Sequence, residues 1–195
     1  MKYFTSDIHF SDPETMLDED RPFSSIKAFD KWIIRHWNKI AKTGDTIYII
    51  GDLFDCHKSG KTNWLHALQL TKKVKADIIL ILGNNEERII QFYFNNDFDT
   101  FRQFCLDNGI KDVKKNDLIM IEDTPFYLVH QPIHHHKEYI NLYGHLHRSN
   151  GMWSSFGINV ACDMNHFRLY SEQEIIRQVG LKNRYFPTDP NCNEH

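Results

Sequence analysis

The chain has 195 residues, a formal net charge of −3, 41% hydrophobic residues and 13% aromatic ones. This suits one globular domain with a sizeable core, and the acidic balance argues against a protein that tracks long nucleic acids, whose affinity rests on neutralising phosphates. The longest apolar run, Ile78 to Leu82, is too short to cross a bilayer, and Cys56, Cys105, Cys162 and Cys192 form no Cys-x-x-Cys pair, so a soluble cytoplasmic protein with reduced thiols is expected.

In chain order, Lys2–Thr5 reads as a short first strand. Ser24 or Ser25 can cap a helix running to about Lys42, with Ile26, Phe29, Trp32, Ile33, Trp37 and Ile40 on one apolar face. Thr46–Ile50 is a buried type of strand, and Asn63 to Val74 reads as helix. Asp77–Leu82 is the clearest strand, a continuous apolar run suited to a sheet covered on both faces. One helical region follows from Glu86, and another ends near Gly109. The later half is strand-rich: Leu118–Ile121, Phe126–Val129, Ile140–Tyr143 and Ile158–Ala161. Ser171-x-x-Glu174 has the form of a capping box and starts a last helix, expected to end at Gly180. Residues 1–182 are expected to form one domain, with 183–195 a loose polar tail.

Five of these strands end in residues suited to metal binding. Asp7-x-His9, Gly51-Asp52, Gly83-Asn84, His130 and Gly144-His145-Leu146-His147 each follow a strand. In open α/β sheets ligands bind outside the carboxyl ends of the strands, so five such ends can converge on one site. Taken singly, each is ordinary turn chemistry or a chance pair. Together and in this order they predict a metal site. Carboxylate, amide oxygen and imidazole suit Mn, Fe, Zn or Ni, and the absence of Cys argues against a soft-metal site.

The order D-x-H, GD, GN, H, GH-x-H resembles the signature of the calcineurin-like metallophosphoesterase superfamily, over residues 7 to 147. Arg21-Pro22-Phe23, followed by a helix containing Trp37-Asn38, resembles a small bacterial and phage-borne branch of it. The resemblance implies a four-layer αββα sandwich of two packed mixed sheets. It also implies a dinuclear centre of divalent transition metals, manganese favoured, with a bridging hydroxide as nucleophile. Carried over by motif, Asp7, His9 and His147 would hold one ion, Asn84, His130 and His145 the other, and Asp52 would bridge them.

The pattern departs at one position. The family commonly has GNH followed by an acid, the His being thought to protonate the leaving group or steady the phosphate; here the sequence is Gly83-Asn84-Asn85-Glu86. An amide donates a hydrogen bond but no proton near neutral pH. Two readings stay open, a native residue tuned for hydrogen bonding or a replacement of His. Asn85, His130 and Asp52 are the expected catalytic groups.

Weaker signals are the His134-His135-His136-Lys137 loop, which could touch a phosphate, Asp12 and Arg21 in the loop after His9, expected to be exposed or to meet substrate, and Cys162-Asp163, read as structural or rim-lining. The expected function is hydrolysis of small phosphomonoesters or phosphodiesters. A nuclease on short nucleic acids and a non-enzymatic binding module are the alternatives, and oligomeric state stays open.

Overall fold

A computed structural model describes residues 1–56, 63–149 and 151–185. Its elements are β1 (Lys2–Thr5), α1 (Pro13–Asp18), α2 (Ile26–Ile40), β2 (Thr46–Ile50), α3 (Trp64–Thr71), β3 (Asp77–Ile81), α4 (Asn84–Tyr93), α5 (Phe98–Asp107), β4 (Asp112–Lys114), β5 (Asp117–Ile121), β6 (Thr124–Leu128), β7 (Ile140–Tyr143), β8 (Trp153–Ser154), β9 (Gly157–Asn159), β10 (Tyr170–Ser171) and α6 (Glu172–Tyr185). They build two mixed sheets, of order β10-β1-β2-β3-β4 and β5-β6-β7-β9-β8. In the first, β1 to β4 are parallel and only β10 runs antiparallel. In the second, β6, β7 and β9 are parallel between antiparallel edges. The two packed mixed sheets with outer helices are the fold class expected from the motifs.

Side-chain alternation on the strands decides the two cores. One face of the first sheet, with Ile47, Ile49, Ile78 and Leu80, packs against Phe29, Ile33 and Trp37 of α2 and against α3 to α5. The other face, with Phe4, Tyr48, Ile50 and Ile81, meets Ile119, Ile121, Phe126, Leu128, Leu142 and Ile158 of the second sheet. α2 begins where Ser25 Oγ accepts the amide of Ala28 at 3.2 Å, as its sequence implies. No helix among the described residues is long and apolar enough to cross a membrane.

Three differences from the sequence reading have local causes. α4 starts at Asn84 rather than Glu86, because Glu86 reaches back to the amide of Gly83 at 2.8 Å and closes the first turn. α6 runs through Gly180 to Tyr185, into the segment expected to be tail. Glycine in a helix interior costs only about 1 kcal/mol, and Ile175, Ile176 and Val179 hold the helix on the inter-sheet core. The expected loose tail lies otherwise outside the described residues. α1, β4, β8 and β10 are short additions that periodicity could not show; α1 exists because Asp12 caps the amides of Glu14 and Thr15.

Candidate metal centre

All seven expected ligands lie beyond the carboxyl ends of β1, β2, β3, β6 and β7, and the structure brings them together. Ligand atoms of Asp7, His9 and His147 lie within 4.8 Å of one another, as do those of Asp7, Asp52 and His130. His9 Nε2 is 3.7 Å and His130 Nε2 3.5 Å from the Asp52 carboxylate, one on each oxygen. Asn84 Oδ1 completes the second side, 3.2 Å from His130 Nε2 and 2.8 Å from His145 Nδ1. Asp52 sits between the two groups.

The loops are locked from behind. The amide of Asp7 donates to Gly51 O and that of His9 to Asp52 O, at 3.1 and 3.0 Å. The Asp7 carboxylate accepts from Ser6 Oγ and from the His145 amide. Glu86 is fully buried and accepts the amides of Asp52, Phe54 and Gly83 at 2.8–3.0 Å, so one carboxylate fixes two of the motif loops. A Cβ on Gly144 would collide with Ser6 and Asp7, and one on Gly83 with Asp52. These two glycines are there because the backbone must pass against a ligand carboxylate.

The backbone is strained where the ligands leave it. Asp7, His9, Asp52, His145 and His147 have φ of 56, 50, 51, 72 and 45°. Each non-glycine residue in this region costs on the order of 1–3 kcal/mol and persists only when its surroundings over-determine it; such strain clusters at functional sites.

Electrostatics separates the imidazoles. Burial pushes His9 down to about 4, so it is neutral at physiological pH, the form that binds a metal. Burial would lower His130 too, but the adjacent Asp52 carboxylate outweighs it and holds His130 up at about 10. Burial and the neighbouring His130 push His145 down. The fit to a metal rests on His9. It is only 5% exposed and both of its ring nitrogens are buried without a hydrogen-bond partner. A buried polar atom left unpaired costs about 1–3 kcal/mol; a ligated cation would supply what the protein does not. Oxygen and imidazole donors suit a borderline or hard divalent ion.

Arg21 and Asp12 stand differently from expectation, and Asn85 and Asp163 make contacts that the motifs did not show. Asn85 is turned inward: its Nδ2 donates to Asp52 Oδ2 at 2.7 Å and its Oδ1 accepts the amide of Cys56 at 3.3 Å. It braces the Asp52 carboxylate. Arg21, expected in an exposed or substrate-contacting loop, is buried, donating to Asp163 Oδ1 and Oδ2 at 2.9 and 2.8 Å and to the carbonyls of Asp7 and Ile8. Asp12 is buried as the cap of α1. Asp163, read only as structural or rim-lining, accepts from His147 Nδ1 at 2.9 Å. A carboxylate on the far nitrogen fixes which ring nitrogen of a ligating His faces the ion. In the histidine loop, His135 and His136 are held by Pro132 O and by stacking on Tyr139. His134 instead lines a cavity of about 40 Å³ with Asn84, Lys115, His130 and Gln131.

Two packed mixed sheets with metal-type side chains gathered at their joined strand ends define a protein built around a candidate divalent-metal centre. The chain belongs to the calcineurin-like phosphoesterase family, whose model matches residues 3–187, a family of metal-dependent phosphoesterases. The chain is 28% identical over 95 residues to an uncharacterized protein, MJ1445, of Methanocaldococcus jannaschii, over 46% of this chain and 52% of that one; it thus spans about half the length of this relative. Among solved structures it is similar to a protein of unknown function, AQ665, from Aquifex aeolicus, with TM-score 0.62, 22% identity and coverage of 91% and 98% of the two chains. It also matches YfcE, a phosphoesterase from E. coli, with TM-score 0.42, 15% identity and coverage of 82% and 77%.

Proposed function

We propose that this chain hydrolyses small phosphomonoesters or phosphodiesters at a dinuclear centre. In this reading Asp7, His9 and His147 hold one ion, Asn84, His130 and His145 the other, and Asp52 is shared. The observation that carries it is His9, buried with both ring nitrogens unpartnered among strained carboxylate and imidazole neighbours. Bound there, two divalent ions, manganese favoured, would supply an activated water and positive charge facing the phosphoryl oxygens.

The chain's own residues do the positioning. Asn85 steadies Asp52 through its amide and Nδ2, Glu86 holds the Asp52 and Gly83 loops, and Asp163 orients His147. With Asn85 committed inward, His134 and Lys115, beside Asn84 and His130 in the small cavity, are the groups placed to meet a phosphate or a leaving oxygen. The domain comprises 1–182 and extends along α6 to Tyr185.

Metal analysis of the purified protein tests this, followed by a panel of mono- and diesters. Two ions per chain are expected, with Asp52→Asn losing occupancy of both and hydrolysis with them. One ion at most, or hydrolysis untouched by Asp52→Asn, would overturn the dinuclear reading. The second reading, a nuclease on short nucleic acids, is favoured by the surface described next.

A further inference from the structure

The solvent face of α2 is wholly cationic. Its exposed positions are Lys27, Lys31, Arg35 and Lys39, one per turn and about 6 Å apart along the axis. Asp30, the one carboxylate of this helix, is buried and accepts from the amide and hydroxyl of Ser11 at 3.1 and 3.2 Å. Among the described residues none of the four cations has an ion-pair partner. Exposed Lys72, Lys73 and Lys75, after α3, widen the field; Asn38 ties that segment to α2 through Lys73 O and the Lys75 amide, both at 2.8 Å.

Both flanks of the ridge are concave. A groove of about 470 Å³ toward α3 is lined by Lys27, Lys31, Arg35 and Lys73, and also by Asp30 and His66. On the other flank a hollow of about 400 Å³ holds Trp32 and His36 between Lys31, Arg35 and Lys39. The Trp32 and His36 rings stack at 4.5 Å and 7° beside the cations, with Trp32 also meeting Phe23 and Phe167 of the core edge-on. The first half of α2 is also tied to the loop that follows His9. Ser11, two positions after His9, contacts Asp30 of α2, and its Oγ lies 2.8 Å from His66 Nδ1.

We propose that α2 binds a short single-stranded oligonucleotide, its phosphates along Lys27, Lys31, Arg35 and Lys39 and a base on Trp32, with one end of the strand at the metal centre. This rests on the phosphoesterase reading for its substrate class. Three features select this occupant. Cations repeat at even spacing along one line, as the charges of a phosphodiester strand do. An aromatic platform adjoins them, which sequence-tolerant single-strand binders use. The neighbouring centre acts on phosphate esters. The narrow line of positive charge also explains why a chain of net charge −3 can do this, since net charge says nothing of distribution.

The test uses the full-length, metal-loaded protein and a fluorescein-labelled single-stranded octanucleotide with phosphorothioate links that resist cleavage, read by anisotropy. Saturable binding is expected, with a log–log salt slope of about −2 to −3 for three or four phosphates neutralised. Lys31→Glu/Arg35→Glu should weaken binding at least tenfold and flatten the slope by about 1.4. Trp32→Ala should cost roughly tenfold with the slope kept. Both variants should hydrolyse bis(4-nitrophenyl) phosphate at the wild-type rate, while the first raises KM for a cleavable oligonucleotide. Undiminished binding by Lys31→Glu/Arg35→Glu would overturn the proposal, as would tighter binding of phosphatidylserine vesicles or polyglutamate than of the oligonucleotide. If wild-type protein binds the strand with the expected slope but hydrolyses no ester, the ridge stands and the reading of the metal centre falls.

Discussion

Replacing Asp163 by Asn isolates what the structure asks of a residue far from the motifs. The Asp163 side chain is fully buried and so is that of Arg21, its bidentate partner. Burial alone would raise its pKa, but His147 and Arg21 hold the carboxyl well below its ordinary range. Asn keeps the volume and removes the charge, leaving the Arg21 guanidinium uncompensated in the interior. Losing one partner of a buried pair costs about 3–5 kcal/mol, against a total stability of about 5–15 kcal/mol. For a chain of this size that lowers Tm by roughly 6–20 °C. Since Arg21 also holds the carbonyls of Asp7 and Ile8, the D-x-H loop should loosen with it. Separately, His147 keeps at best a neutral amide acceptor in place of the carboxylate that fixes its ring, which should weaken metal binding about 10–100-fold. Calorimetry of the metal-free protein reads the first effect, and competition with a fluorescent chelator reads the second. A Tm within 2 °C of wild type together with unchanged metal affinity would refute the reasoning for both roles.

Two further outcomes follow from the site. The metal-free protein should be most stable between about pH 4.5 and 6.5 and lose stability above that. His9, with its pKa lowered to about 4, withdraws stability as pH falls below its unfolded value, while His130, raised to about 10, and Glu86, raised to about 7 by burial and by Asp52, withdraw it as pH rises. A bound ion must displace the His130 proton, so metal affinity and metal-induced Tm gain should both increase from pH 6 to pH 9; a pH-independent gain in thermal melts would count against this. Asn85→Ala strips Asp52 of its Nδ2 donor, so metal affinity should fall about tenfold or more, and alkyl and nitrophenyl esters should lose rate equally. A loss confined to alkyl esters, whose leaving group needs a proton, would mean that Asn85 serves the leaving group through a hydrogen bond and would overturn its bracing role.

Much of the framework was legible because it is written locally. The apolar run 78–82 suits a strand covered on both faces, and Ser24 or Ser25 followed by apolar residues at helical spacing marks the start of α2, which the structure puts at Ser25. The five strand ends carrying Asp, Asn and His are likewise visible in order along the chain. The inward turn of Asn85 was not legible, because a motif position tells where a residue sits and not which way its amide turns. Bulk charge, a sum over all residues, could not show that the cations of α2 align on one face.

Tertiary structure alone decided the rest. Arg21 and Asp163 are 142 residues apart, and no periodicity links them; they meet because β1 and the segment after β9 run side by side, joined by a bridge between Ser6 and Ala161. The positive φ of Asp7, His9, Asp52, His145 and His147 has the same origin, since Asp and His tolerate that region better than most residues but are held there by contacts from other strands. Sequence thus determined which side chains the strand ends carry, through patterns of a few residues. Their orientation, pairing and protonation came from burial and from neighbours distant in the chain, which exist only once the two sheets have packed.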